Sequence, residues 1–109
     1  MNRIYITNKP NAWFDKDNAE CFDDETYWDG NNHISIWNNS QFIRSTLYYT
    51  ASKNWVLHTH SAYQGSRDSF EIIDLESVTI FFIKNNYVIE DLQADVKSLL
   101  LPLLKEMEV

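Results

Sequence analysis

His58 and His60 stand one residue apart in His58-Thr59-His60, and no other pair in the chain is better spaced for chemistry. Alternate residues of an extended strand project from one face, so two imidazoles placed this way can share a divalent cation such as zinc. A third and fourth ligand would have to come from His33 or from a carboxylate distant in sequence. The ordinary alternative is two polar histidines on the solvent face of a strand. His58 and His60 therefore stay as candidates, with no metal assigned. Asp23, Asp24 and Glu25 form a run of carboxylates, and general acid–base or glycosidic chemistry uses two of them. Consecutive charges on a short loop are ordinarily just solvated, so no catalytic role is assigned. Cys21, the single cysteine, could in principle pair with a distant histidine as a nucleophile. The helical pattern around it instead predicts a small, buried or half-buried residue beside Phe22. Gly30 and Gly65 are the only glycines, which excludes phosphate-cradling loops, and neither His-Glu-x-x-His nor Gly-x-Ser-x-Gly occurs. The chain reads as non-enzymatic and without a cofactor.

The stronger pattern is one of surface charge. Seven acids (Asp15, Asp17, Glu20, Asp23, Asp24, Glu25 and Asp29) crowd residues 15–29 against a single Lys16, interleaved with Phe22, Tyr27 and Trp28. Residues 30–67 then contain no acid at all. By segment the charge runs +2 over residues 1–14, −6 over 15–29, +3 over 30–67 and −6 over 68–109. The net value of −7 and pI near 4.7 disfavour direct binding to nucleic acid, where a basic footprint must release counterions from phosphate. They favour basic partners. Carboxylates spaced along a helix and loop can imitate a phosphate array and occupy a basic groove. Trp13, Tyr27 and Trp28 would be anchors of the kind that dominate interface energies.

Several local elements must position these groups. Arg3-Ile4-Tyr5-Ile6-Thr7 alternates as a short strand and stops at Asn8-Lys9-Pro10. A short helix over residues 15–23 is predicted next, with Asp15 as N-cap, Phe14 stapled onto Ala19, and Phe22 on the same face. Asp29-Gly30-Asn31-Asn32 is turn chemistry. Apolar-rich runs at residues 33–37, 41–50 and 54–61 read as an antiparallel meander, with Ala51-Ser52-Lys53 as a hairpin turn and a fourth strand at residues 69–74. Residues 75–85 place Leu75, Val78, Phe81 and Phe82 on one helical face between a capping Asp74 and a closing Asn85-Asn86. Val78 to Ile83 would also suit a buried strand. A second helix is predicted from Glu90-Asp91, with Leu92, Val96, Leu99, Leu100 and Leu103 at helical steps and Pro102 kinking it or ending it near Leu101. The sum is one α+β domain spanning residues 1–109: a small antiparallel meander of about four strands with two or three helices on one face.

Sixteen aromatics and 44% hydrophobic residues argue for a folded chain. One cysteine permits no internal disulfide, and the start Met1-Asn2-Arg3-Ile4 lacks a secretory apolar run, so a cytoplasmic location is expected. Asn38-Asn39-Ser40 then reads as a turn and not a glycosylation acceptor. No apolar stretch reaches the roughly 20 residues that span a bilayer.

The run Leu47-Tyr48-Tyr49-Thr50-Ala51-Ser52-Lys53-Asn54-Trp55-Val56-Leu57, with Tyr63-Gln64-Gly65-Ser66, Glu71-Ile72-Ile73 and the segment to Asn86, resembles a group of short uncharacterised bacterial proteins. It covers about half the chain. The resemblance implies a reusable hairpin, strand and helix unit. The acidic N-terminal third is then the part specific to this protein.

In composition the chain is also similar to small acidic, anti-CRISPR-like inhibitors of bacteriophages and plasmids that block host defence nucleases. The leading expectation is such a binding protein, its partner the basic groove of a nucleic-acid-handling protein or complex. Two alternatives use other residues. Arg44, Lys53 and Arg67 with Trp37, Tyr48, Tyr49, Trp55 and Tyr63 could stack single-stranded bases, and His58 with His60 could bind a metal. Leu101, Leu104 and Met107 form a second apolar stripe on the last helix that would suit a homodimer or a partner helix.

Overall fold

The computed structural model describes residues 1–109. In chain order its elements are β1 (Arg3–Tyr5), β2 (Trp13–Asp15), β3 (Glu20–Asp23), β4 (Thr26–Trp28), β5 (His33–Ser35), β6 (Ile43–Tyr49), β7 (Trp55–Ser61), β8 (Ser69–Ile72), α1 (Leu75–Lys84) and α2 (Ala94–Met107). Single 3-10 turns lie at Lys16–Asn18 and Ile89–Asp91. The centre is a four-stranded antiparallel sheet in the order β3-β6-β7-β8, and two small hairpins, β1–β2 and β4–β5, stand beside it. This is an α+β fold built on a β-meander, with both helices on one sheet face.

The period-2 alternation of β6 and β7 builds two cores from one sheet. Leu47, Tyr49 and Trp55 face the helices and meet Val78, Phe81 and Phe82 of α1 and Val96 and Leu100 of α2. Tyr48 and Val56 face the other way and are covered by Ile6 and Phe14 of the β1–β2 region. Each fully buried large side chain contributes roughly 1.5–3 kcal/mol of transfer free energy, so the helix-side cluster holds most of the stability.

α1 forms as a helix between strong end signals. Asp74 accepts a bond from Ser77 N–H at 2.8 Å at its start. At its end Asn86 takes a left-handed φ of 62°, Asn86 N–H bonds to Ile83 C=O and Tyr87 N–H to Phe82 C=O. The Tyr87 ring closes on Phe82 edge-on at 5.3 Å. That pairing of 6→1 and 5→2 bonds with an apolar contact is a Schellman closure, with Asn in the place Gly usually takes.

Four local expectations are corrected. No helix forms over residues 15–23. Asp15 does cap, accepting from Asp17 N–H at 3.1 Å, but it caps only one 3-10 turn. The chain then extends as β3, because pairing with β6 satisfies its backbone where so short a helix could not stand alone. Phe14 and Phe22, expected on one helical face, consequently lie in different cores. Cys21 is exposed, since alternation along β3 turns it away from Phe22. Residues 33–37 leave the main sheet, as β5 pairs with β4. Finally, Glu90-Asp91 opens only a 3-10 turn, and α2 starts at Ala94 and runs through Pro102 to Met107. Pro102 deprives the exposed Ser98 of a helical partner at a position where its carbonyl can reach solvent.

The β8 margin of the sheet is sealed by side chains. Thr7 N–H donates to Phe70 C=O and Thr7 Oγ1 accepts from Phe70 N–H. Asn8 Oδ1 accepts from Ile72 N–H at 3.0 Å while its Nδ2 donates to Ile72 C=O at 3.1 Å. The molecule is flat, 40 × 40 × 21 Å, with a radius of gyration of 14.6 Å against about 13 Å for a compact chain of this length. Its accessible surface of 7046 Å² likewise exceeds the roughly 6,300 Å² expected for its mass.

Candidate interaction surface

Residues 20–29 run without a break along the other margin. β3 is the outer strand there, and the chain continues through Asp24 and Glu25 into β4, half of an arm completed by β5. The arm is held at its base. Glu25 N–H donates to Asn85 Oδ1 at 2.9 Å, and Ile36 N–H donates to Glu25 C=O at 2.9 Å. Asn85 is buried at the end of α1 and donates its Nδ2 to Phe81 C=O at 2.8 Å, so one amide ties arm to helix. At the tip Asp29 Oδ1 accepts from Asn32 N–H at 2.7 Å and Asn31 N–H at 2.8 Å, and these bonds hold its carboxyl below the usual range. Gly30, at φ 104°, makes the turn that an L side chain would strain. Tyr27 and Trp28 are left 46% and 60% exposed, and the Trp28 ring rests on His33 at 5.1 Å.

Asp24 is the exception in this acidic run, because it is buried. Its Oδ1 pairs with the Arg44 guanidinium at 2.6 Å, and its Oδ2 accepts from Ser35 Oγ at 2.5 Å and Ser45 N–H at 3.0 Å. Asn38 Nδ2 adds bonds to Ser45 Oγ and Ser35 Oγ. Asp24 thus fastens β5 to β6 and is withdrawn from the outward-facing surface expected of it. A buried carboxylate persists only with such a full set of partners.

The remaining acids divide by task. Asp15 accepts from Asn2 N–H at 2.9 Å, Asp17 N–H at 3.1 Å and Asn18 Nδ2 at 2.6 Å, which hold its carboxyl below the usual range. Asp17 lies 3.8 Å from the N-terminal amine. Asp15 and Asp17 therefore order the turn before β3. Glu20 accepts from Gln93 Nε2 and Asp23 from Thr46 Oγ1. Of the seven acids only Asp17 and Asp24 have a cationic partner. Tyr87 registers the resulting field: burial raises its phenol above the ordinary 10.0, and the carboxylates of Asp23 and Glu25 raise it further. Its hydroxyl donates to Asp23 C=O at 2.8 Å.

His58 and His60 do share a partner, which is Asp68. His58 Nε2 and His60 Nδ1 each lie 2.8 Å from one of its oxygens. Hydrogen bonds from His58 and then His60 hold the Asp68 carboxyl below its usual range. His58 also stacks on Phe70 at 4.2 Å. His33 is occupied at Trp28, and no group of three or more His, Cys, Asp or Glu side chains is arranged to hold a metal ion. The cluster works as a clasp that closes the loop between β7 and β8. Asp68 escaped the sequence reading because a lone acid beyond a loop carries no periodic signal.

The residues expected to stack single-stranded bases are mostly unavailable to a ligand. Tyr48, Tyr49 and Trp55 are core residues, Arg44 is engaged by Asp24, and Lys53 lies 3.6 Å from Asp95. Of the five rings only Tyr63 is exposed, paired with Phe42 at 5.1 Å, and Arg67 is the one exposed cation of the group without an ion-pair partner. The stripe of Leu101, Leu104 and Met107 lines, with Ile83, a groove of about 410 Å³. No helix is long and apolar enough to cross a membrane.

No family model, no curated protein and no solved structure matches this chain.

Proposed function

We propose that this chain is a non-enzymatic binding protein that docks through its β3 margin and β4–β5 arm onto a basic groove of a nucleic-acid-handling protein, in the manner of a phage- or plasmid-type inhibitor. The observation that carries this reading is the arm: Tyr27 and Trp28 project from it 46% and 60% exposed, beside Asp23 and Glu25, which have no cationic partner. Large aromatic rings left in water on a protruding element, rimmed by free carboxylates, fit an interface whose centre is apolar and whose rim steers a positive partner. The excess of surface over a compact chain points the same way.

Affinity capture from a bacterial lysate tests it with three forms: the unaltered chain, Tyr27→Ala with Trp28→Ala, and Asp23→Asn with Glu25→Gln. The expected result is a captured protein that duplex DNA displaces and that both variant pairs lose. The ring variants should weaken capture by tenfold or more, on the order of what two interface anchors contribute. Capture unaffected by both variant pairs, or a captured partner that holds nucleic acid undisturbed, would overturn the docking surface and the mimicry respectively.

A further inference from the structure

α2 carries two apolar faces. The inner one, with Val96 and Leu100 fully buried, belongs to the helix-side core. The other lies about a quarter-turn round the helix, where Leu101 and Leu104 stay half-buried and line the groove of about 410 Å³ beside α1.

Along α2 that second face runs Lys97, Leu101, Leu104 and Glu108. Steps of four, three and four residues keep these side chains on one stripe, and they are the steps of a heptad seam. Glu108 continues the stripe past the last helical residue, because its N–H still bonds to Lys105 C=O. The two ends of the seam are oppositely charged. Neither Lys97 nor Glu108 has an ion-pair partner within the chain, and Glu90 and Lys105 on the groove margin have none either.

A leucine centre with one unpaired cation at one end and one unpaired anion at the other is complementary to its own reverse. Two such helices crossing antiparallel, about a two-fold axis between Leu101 and Leu104, bring each Leu101 onto Leu104 of the second copy and each Lys97 onto its Glu108. Both charge pairs form at once. A parallel pairing would set like charge against like at both ends, and a foreign helix of one sign would be attracted at one end and repelled at the other. The stripe therefore selects both a partner and its direction.

We propose that the chain pairs with a second copy of itself through this face of α2, antiparallel, with Leu101 and Leu104 at the centre and Lys97 and Glu108 closing the ends. Ile83 of α1, 43% exposed on the wall of the same groove, flanks the seam. The pair uses none of the docking residues of the β3 margin and arm, so the two are tested separately.

Sedimentation velocity over a concentration series reads the mass, which should double from the 12.9 kDa of one chain as concentration rises. Lys97→Glu sets acid against acid at both ends of the pair, and Glu108→Lys sets cation against cation. Each variant alone should pair about tenfold more weakly, since two exposed ion pairs become two repulsions. Mixed in equal amounts the two variants should recover the pair, because every reversed end then faces an opposite charge, and a chain carrying both reversals should pair as the unaltered one does. Ile83→Glu places a charge against the apolar centre and should abolish pairing. A thermal transition retained by each variant ties these losses to association and not to unfolding. A mass that stays at 12.9 kDa at every concentration overturns the pair. A dimer that neither reversal weakens, or that neither the mixture nor the doubly reversed chain restores, overturns the antiparallel seam.

Discussion

At the β8 margin the outward backbone groups of Phe70 and Ile72 are taken up by Thr7 and Asn8, so a neighbouring loop imitates a further strand. At the β3 margin the pattern is different. Asp24 N–H bonds to Ser45 C=O, which turns the groups of Cys21 and Asp23 outward, and only the Asp23 carbonyl is met, by Tyr87. One margin is closed by neutral side chains and the other is left charged, with Glu20 and Asp23 on it and an aromatic arm beyond. Charge on an edge strand discourages indiscriminate pairing, so an open edge so defended can be kept for a selected partner. A sealed edge contributes stability; an open one contributes recognition.

The sharpest way to break this contrast is at Asp24. Asp24→Ala leaves Ser35 and Ser45 N–H without their acceptor and Arg44 without its counter-ion, and should cost about 3 kcal/mol in denaturant unfolding. A cost below about 1 kcal/mol would mean that the arm is not fastened through this residue. Asn8→Ala opens the sealed margin and should cost about 1 kcal/mol, with faster amide exchange at Ile72 and not at β3. The smallest effect falls on the open margin. Asp23→Asn with Glu25→Gln should change stability by less than about 0.5 kcal/mol while drawing the Tyr87 phenol back toward 10.0. The sign follows from linkage. A phenol raised in the folded state contributes stability fully present below pH 10.0 and lost as pH climbs from there through its folded value, so the double variant, with a lower folded value, should lose less stability at alkaline pH. Unchanged phenol titration would show that the two carboxylates do not act on one locale.

What could be read in advance followed how local the determinant is. α1 was legible because Asp74, the Leu75, Val78, Phe81 and Phe82 stripe and Asn85-Asn86 all lie within one short window. The β6–β7 hairpin was legible from its turn and its aromatic runs. β3 was misread because Phe14, Asp15 and Ala19 truly describe a capped turn, and the partner that extends the next four residues, β6, lies more than twenty positions away. The same distance hid the fate of Asp24. Nothing in Asp23-Asp24-Glu25 marks the middle acid as buried; Ser35, Arg44 and Ser45 do so, and only after folding. Of the nine residues expected at the partner surface, Asp24 is internal, Asp15 and Asp17 order a turn, and Glu20, Asp23, Glu25, Tyr27, Trp28 and Asp29 follow one margin.

Cys21 turns that margin into something an experimenter can address directly. It is the sole thiol of the protein, it is exposed, and it sits on the open strand between Glu20 and Phe22. A maleimide dye or spin label attached there reports from one known position without any engineered cysteine, and a partner that covers the strand would shield the thiol from alkylation.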